Sequence, residues 1–352
     1  MSASPVPSAL PSADRRRAAY LAELALGTDR FHEAPRADCP WCGSRQLRTR
    51  FTAPDLLQHK PGRFTLDECR DCAHAFQNPP LTPEGVAFHD RDRYEGGLGV
   101  PSRRRLRTTA RVVLPYGEPE SWLDVGTGRA DFPAVARRFF PYTAFDGSDP
   151  TPRVLEARAA GRIEEAHVGH LATPGLAARL RARYDVVTVL HRLEHAPDPR
   201  AELDAALTAL RPGGILLLEA ADPDCAFAAI LGKWWFPHTQ PRHPNLLPLA
   251  NVRAELESRG CTVLVAAHRP AHRPQDLSAA LALALAHAVP DPDEPWRPAP
   301  PSEVRRTVRT VLDRVSAPLL ALARAADLLL YPLLREGPFA NSYRIVARKD
   351  AA

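Results

Sequence analysis

The chain has almost no lysine, a single methionine and no uninterrupted apolar stretch of bilayer length. Of its 352 residues, 46 are Lys or Arg, yet lysine stands only at Lys60, Lys233 and Lys349. Basic charge is therefore carried by arginine; set against 41 acidic residues it leaves a net charge of +5 and a pI near 9.0. Contiguous basic runs are confined to Arg15-Arg16-Arg17 and Arg103-Arg104-Arg105. Runs this short read as solvated helix faces rather than phosphate-gripping patches, so a nucleic-acid partner is not expected. The most apolar stretch, Val311 to Leu334, is broken by Asp313, Arg314, Arg324 and Asp327, so no membrane span is expected. The opening Met1-Ser2-Ala3-Ser4-Pro5 has no apolar run of the kind that directs export, which makes the cytoplasm the expected compartment. In reducing surroundings, paired cysteines point to metal rather than to disulfides.

What is present divides the chain. A hydrophobic share of 45% and a charged share of 25% suit a globular protein with a sizeable core. Residues 1–30 read as a Ser/Pro/Ala tail followed by a short helix from Asp14 to Leu26. Residues 31–80 hold four of the six cysteines, as Cys39-Pro40-Trp41-Cys42 and Cys69-Arg70-Asp71-Cys72. Two residues between thiolates let both reach one ion from a tight turn, and two such turns complete the tetrahedral sulfur shell that Zn²⁺ accepts. With all four positions filled by cysteine there is no open coordination site, so Cys39, Cys42, Cys69 and Cys72 are expected to hold a structural ion, Zn²⁺.

From Ser121 onward strands and helices alternate. Strands are expected at 122–125, 142–145, 166–168, 184–190, 215–219 and 261–267. Helices are expected at 132–140, 152–160, 201–210 and 251–259. Near-continuous apolar strands separated by helices imply a doubly wound, Rossmann-like α/β sheet covered on both faces. The pattern breaks at 271–337, where Pro-punctuated helices (276–288, and 302–334 with a kink at Pro318) form an insert before a last strand at 342–347. The domain reading is thus a main domain of 81–270 plus 338–350, interrupted by a helical insert at 271–337. The apolar residues of the 302–334 helix exceed one narrow stripe. They would bury against the core, cap the site, or form a homodimer contact.

Chemistry concentrates at strand ends. The segment Leu123-Asp124-Val125-Gly126-Thr127-Gly128 runs a strand and an acid into a Gly-x-Gly turn, which lets backbone approach a ligand closely. About 20 residues on, Asp149 follows the second strand, where a carboxylate can accept both hydroxyls of a ribose. His191-Arg192-Leu193-Glu194-His195 matches an inverted zinc-protease pattern. That reading is rejected, because the segment leaves a buried strand directly instead of lying on a helix. Three roles stay open for it: His195 or His191 as general base, a divalent-metal site, or a hydrogen-bonded brace for the loop. Trp234-Trp235-Phe236-Pro237-His238 with Gln240, Arg242, His243 and Asn245 is either an acceptor pocket or a packed loop.

Together these segments resemble the class I S-adenosylmethionine-dependent methyltransferases, and among them the bacterial group with a four-cysteine ribbon ahead of the methyltransferase domain. The resemblance rests on the Asp124–Gly128 loop, Asp149-Pro150-Thr151-Pro152 and Tyr184-Asp185-Val186-Val187. It also rests on Glu194-His195-Ala196-Pro197-Asp198-Pro199 and Leu210-Arg211-Pro212-Gly213-Gly214. It implies a seven-stranded methyltransferase sheet whose last strand is antiparallel, with S-adenosyl-L-methionine as methyl donor. Asp124, Gly126, Gly128, Asp149, His170 and Leu190 would line the donor site, and His195 or His191 would serve catalysis. Two departures stand out: Ala130 replaces the third glycine, and Gly169-His170-Leu171 lacks the acid that often reads adenine. The implied reaction is methyl transfer to O, N or C of a small molecule, such as a secondary metabolite or sugar nucleotide. RNA methylation using the ribbon, and a non-catalytic partner protein keeping the fold, are the alternatives.

Overall fold

The computed structural model describes residues 13–92, 102–298 and 302–351. The Ser/Pro/Ala tail of residues 1–12 lies outside them. The N-terminal part comprises α1 (Ala13–Leu24), β1 (Leu47–Pro54), β2 (Arg63–Cys69), β3 (Ala75–Gln77) and α2 (Pro83–Asp90). The alternating part follows as α3 (Arg103–Ala110), β4 (Ser121–Val125), α4 (Asp131–Ala136), β5 (Ala144–Asp149), α5 (Arg153–Ala159), β6 (Ala166–Val168), α6 (Pro174–Arg179), β7 (Tyr184–Leu190), α7 (Pro199–Ala209) and β8 (Leu210–Ala221). It closes with α8 (Ala226–Leu231), β9 (Asn245–Leu246), α9 (Leu249–Ser258), β10 (Cys261–Ala267), α10 (Asp276–Ala288), α11 (Glu303–Leu334) and β11 (Ser342–Lys349).

Seven strands form one sheet in the order β10-β11-β8-β7-β4-β5-β6. β11 runs antiparallel to both β10 and β8, and the pairings among β8, β7, β4, β5 and β6 are parallel. The strand order reverses between β4 and β7, so a crevice opens beyond their carboxyl ends, where doubly wound sheets bind ligands. β7 is the plainest case of sequence dictating structure: Val186, Val187 and Val189 are buried on alternating faces, and Thr188 donates its hydroxyl to Asp124. On one face Trp122 packs edge-on against Phe132 and Phe140 and tilted against Phe145. Asp198 caps α7 by accepting from Arg200 and Ala201 N–H at 3.0 Å, and Pro199 occupies the first helical position.

Two expected boundaries move for physical reasons. The second strand is not 142–145 but Ala144–Asp149. Tyr142 is 88% exposed, whereas Asp146 is buried and satisfied by the Tyr184 hydroxyl and the Glu165 N–H. The helix expected at 132–140 ends at Ala136, where tighter turns take over, as the Phe139 N–H bond to Ala136 O shows.

The cysteine-bearing sheet is not a separate bead. Its order is β1-β2-β3-β9, and the fourth strand, Asn245–Leu246, comes from beyond β8. Cys39, Trp41, Cys69 and Phe76 share one buried cluster with Leu123, Val187 and Leu218 of the large sheet. A second tie lies nearer the N-terminus. The Lys60 ammonium donates to the carbonyls of Phe88, His89 and Arg91 at 2.5–3.2 Å. It also faces the rings of Tyr20, Phe88 and Trp296 at 4.9–5.5 Å. Burial pushes that ammonium down to about 8.

The arginine runs are less solvated than expected. Arg17 donates to the Arg297 carbonyl, and Arg105 reaches inward to Glu219 at 2.8 Å. α11 behaves differently. Its Asp327 accepts from the Leu277 and Ser278 N–H groups and so caps α10, and Arg324 bonds the Pro274 carbonyl. Its outer face, however, leaves Val308, Val315, Leu322 and Leu329 exposed at seven-residue intervals. By length and composition alone this helix is long and apolar enough to cross a bilayer, the one such helix among the described residues.

Glu219 is the most committed buried charge. Its carboxylate accepts from Arg344, its cross-strand neighbour on β11, from Arg105 on α3 and from the Thr109 hydroxyl. Burial alone would raise its pKa; Arg105, His191 and Arg344 overcome that and hold it well below the usual carboxylate range. Its contribution to stability is therefore present above the usual range and is lost only as pH falls well below it. A Glu219→Gln variant should lose about 3 kcal/mol or more at pH 7 by stranding buried guanidinium charge. Urea unfolding of both proteins at successively lower pH should show the gap closing as wild type protonates.

Candidate functional site

After β4 the chain turns through Gly126 and Gly128, at φ +74° and +54°. A Cβ on Gly126 would come 2.8 Å from Arg192 Cδ, while one on Gly128 would enter open space. The turn is thus a cradle that side chains would fill. Ala130, in place of the third glycine, also adopts a left-handed φ of +57°. The Gly128 N–H donates to Asp149 Oδ2 at 2.9 Å, and Asp149 Oδ1 accepts from the Thr151 N–H and hydroxyl. Asp149 therefore braces the start of α5 and the glycine turn while bordering the crevice.

The crevice is a cavity of about 740 Å³, within the range of small-molecule sites. It brings Gly126, Asp149, His170, Leu190, His191 and His195 together. Asp124 lies apart, lining a smaller cavity of about 180 Å³ with Arg105, Thr127 and His191. It accepts from the Thr188 hydroxyl at 2.6 Å, and burial pushes its pKa up to about 6. His170 faces Arg192, whose Nη2 is 2.8 Å from its Nδ1.

The histidine segment leaves β7 as a short 3₁₀ turn, Leu193–His195. His191 has both ring nitrogens beside carboxylates: Nδ1 is 3.1 Å from Glu194 and Nε2 is 3.6 Å from Glu219. Glu194 also accepts from the Ala221 N–H at 2.7 Å, and its other oxygen, Oε2, is buried without a partner. Burial works to raise the Glu194 pKa, but His191 holds it below the usual range. His195 is set differently. Its Nδ1 lies 2.8 Å from the Arg242 carbonyl. A carbonyl only accepts, so Nδ1 carries the proton and Nε2 is the basic nitrogen of the neutral ring. Among the described residues, the groups of three or more side chains that converge as metal ligands are the four cysteines and Asp146/Glu165/His167; the 191–195 segment is not among them.

The Trp234–Asn245 segment splits between the two expected roles. Phe236, Pro237, Arg242, His243 and Asn245 line the cavity. Trp235 is buried and donates to Asp276 at 2.8 Å, and His238 is bonded to the Gly232 carbonyl.

The sequence reading missed two further walls. One is the cysteine module, which contributes Glu33, Arg36, Phe76 and Gln77. The other is the start of the insert with the lead-in to β11, which contributes Arg273, Gln275, Asp276 and Asn341. Burial raises Asp276 to about 7. For Arg273, burial first and then the neighbouring Arg105 lower the guanidinium to about 9, so it stays charged at neutral pH. This stretch falls at the start of the Pro-punctuated insert, where nothing local marked Arg273 as cavity wall.

The cysteine sulfurs lie within 4.8 Å of one another, with Cys39–Cys72 at 3.7 Å and Cys42–Cys69 at 3.5 Å. A tetrahedral zinc–thiolate shell with bonds of ~2.3 Å places its sulfurs ~3.8 Å apart. The set fits that ion.

The parallel sheet with an antiparallel last strand, the glycine turn and the acid at the next strand end are the arrangement expected of a Rossmann-like methyltransferase fold. Residues 101–266 match the family model described as a methyltransferase domain. Among curated relatives, the ubiquinone biosynthesis O-methyltransferase of Psychrobacter arcticus is 35% identical over 115 residues, 31% of this chain and 45% of that protein. The protein of the same name from Azotobacter vinelandii is 32% identical over 123 residues, 34% of this chain and 53% of that protein. The chain thus spans about half the length of these relatives. Among solved structures, a SAM-dependent methyltransferase from Archaeoglobus fulgidus aligns at 16% identity with a TM-score of 0.39, covering 75% of this chain and 99% of that one.

Proposed function

We propose that the protein transfers the methyl group of S-adenosylmethionine to a nucleophilic atom of a small molecule held in the 740 Å³ cavity. The observation that carries this is the sharing of one cavity by Gly126 of the glycine turn, Asp149 and a histidine of fixed tautomer. S-adenosylmethionine supplies a methyl already activated on a sulfonium. The protein's task is then to hold the acceptor in line and exclude water.

Gly126 and Gly128 admit the donor's amino-acid end, Asp149 takes the ribose hydroxyls, and His170 with Leu190 borders the adenine. His195 Nε2 receives the acceptor's proton where the nucleophile carries one, with its imidazole oriented by the Arg242 carbonyl. His191, engaged by carboxylates on both sides, braces the loop. The four cysteines hold a structural Zn²⁺ that keeps the cavity's ribbon wall in shape. That wall favours a small acceptor over RNA, because Arg36, Phe76 and Gln77 line the cavity.

Calorimetric titration should give micromolar S-adenosylmethionine binding by wild type, weakened about tenfold or more, near 1.4 kcal/mol, in Asp149→Ala. No binding by folded wild type would end the assignment. In a methylation assay with an identified acceptor, His195→Ala should retain donor affinity and lose about 100-fold or more in turnover; unchanged turnover removes His195 from the proton path. Freshly purified protein should contain about one zinc per chain by elemental analysis. Stripping it with a chelator should lower Tm while releasing four thiols in addition to Cys225 and Cys261. Less than half an equivalent of tightly held zinc would sink the structural-ion reading.

A further inference from the structure

Arg273 sits at the boundary of the two cavities and lines both. Its backbone is pinned: the N–H donates to Asn341 Oδ1 at 2.9 Å and the carbonyl accepts from Asn341 Nδ2 at 2.7 Å. Its guanidinium is not. Nε is shut off from water without a hydrogen-bond partner, and among the described residues no carboxylate lies within ion-pairing distance of it. This contrasts with its two basic neighbours. Arg105 is spent on Glu219 and on the Ala271 and His272 carbonyls, and Arg344 on Glu219 and the Thr109 hydroxyl.

Charge bookkeeping around that point leaves a surplus. Glu219 is already shared by two arginines, and Glu194 is spent on His191 and the Ala221 N–H. Asp276 is bound by the Trp235 and Asn341 side chains. With Nε shut off and no counter-ion, the remaining donors of the guanidinium are left for the cavity, and a planar fork of donors suits the two oxygens of a carboxylate or phosphate.

We propose that Arg273 recognises an anionic group of the methyl acceptor, so that the substrate class is a carboxylate- or phosphate-bearing small molecule. This rests on the methyl-transfer reading of the cavity. The insert then has a chemical role: its first residues place one positive charge in the wall of the cavity that His195 also lines.

The test uses full-length, metal-loaded protein and three probes: inorganic phosphate, acetate and S-adenosylmethionine. Titration at constant ionic strength should show phosphate or acetate binding to wild type. That binding should weaken at least fivefold in Arg273→Gln and largely survive in Arg273→Lys, with donor affinity unchanged within twofold. Arg273→Met should melt no lower than wild type, since it removes an unpaired charge rather than an ion pair. Equal anion binding by wild type and Arg273→Gln overturns the proposal, as does no anion binding by wild type. If Arg273→Gln instead weakens S-adenosylmethionine tenfold and the donor displaces phosphate, the anion is the donor's own carboxylate and the acceptor assignment is wrong. Anion binding that depends on Arg273 in a protein without donor affinity would keep the anion site and remove the methyl-transfer reading.

Discussion

A strand of two residues, Asn245–Leu246, fixes how the cysteine module meets the seven-stranded sheet. It pairs antiparallel with Ala75 and Phe76 as the fourth strand of the module's sheet. Asn245 then spends its side chain in both directions, bonding His74 at 3.1 Å and the Ala196 carbonyl at 2.8 Å. Asn251, at the start of α9, donates to the Cys72 carbonyl. The loop carrying His195 is thereby referenced to the cysteine knuckles. A small sheet with little core of its own gains burial by sharing one apolar cluster with its larger neighbour.

The balance of buried charge gives the cavity its character. Glu219 gathers α3, β8 and β11 into one ionic knot beneath the glycine turn. Such a knot adds little net stability over an apolar one, but it fixes which elements meet. Because it absorbs Arg105 and Arg344, it leaves the positive potential of the crevice to residues that face the cavity.

Much of this was legible from residue pattern. β7, β10 and α10 begin and end where the residue pattern placed them, β7 on its valines. The four cysteines announced their cluster by spacing alone. What escaped shares one cause: it depends on partners distant in sequence. The second strand is polar, and its Asp146 is tolerated only because Tyr184 and Glu165 satisfy it. β9 is too short to carry any period. Arg105 looked like one of three surface arginines until Glu219, 114 positions away, claimed it. Arg273 owes its place to Asn341, 68 positions on.

The ribbon's contribution to the cavity wall has an evolutionary reading. The glycine turn and Asp149 stand on the large sheet, whereas Arg36, Phe76 and Gln77 belong to the cysteine module, which meets that sheet through β9. Change in that unit can remodel the shape offered to an incoming molecule while the glycine turn and Asp149 stay as they are. Exchange of ribbons between related chains, keeping the Phe76–Asn245 pairing, would be a short route to altered selectivity.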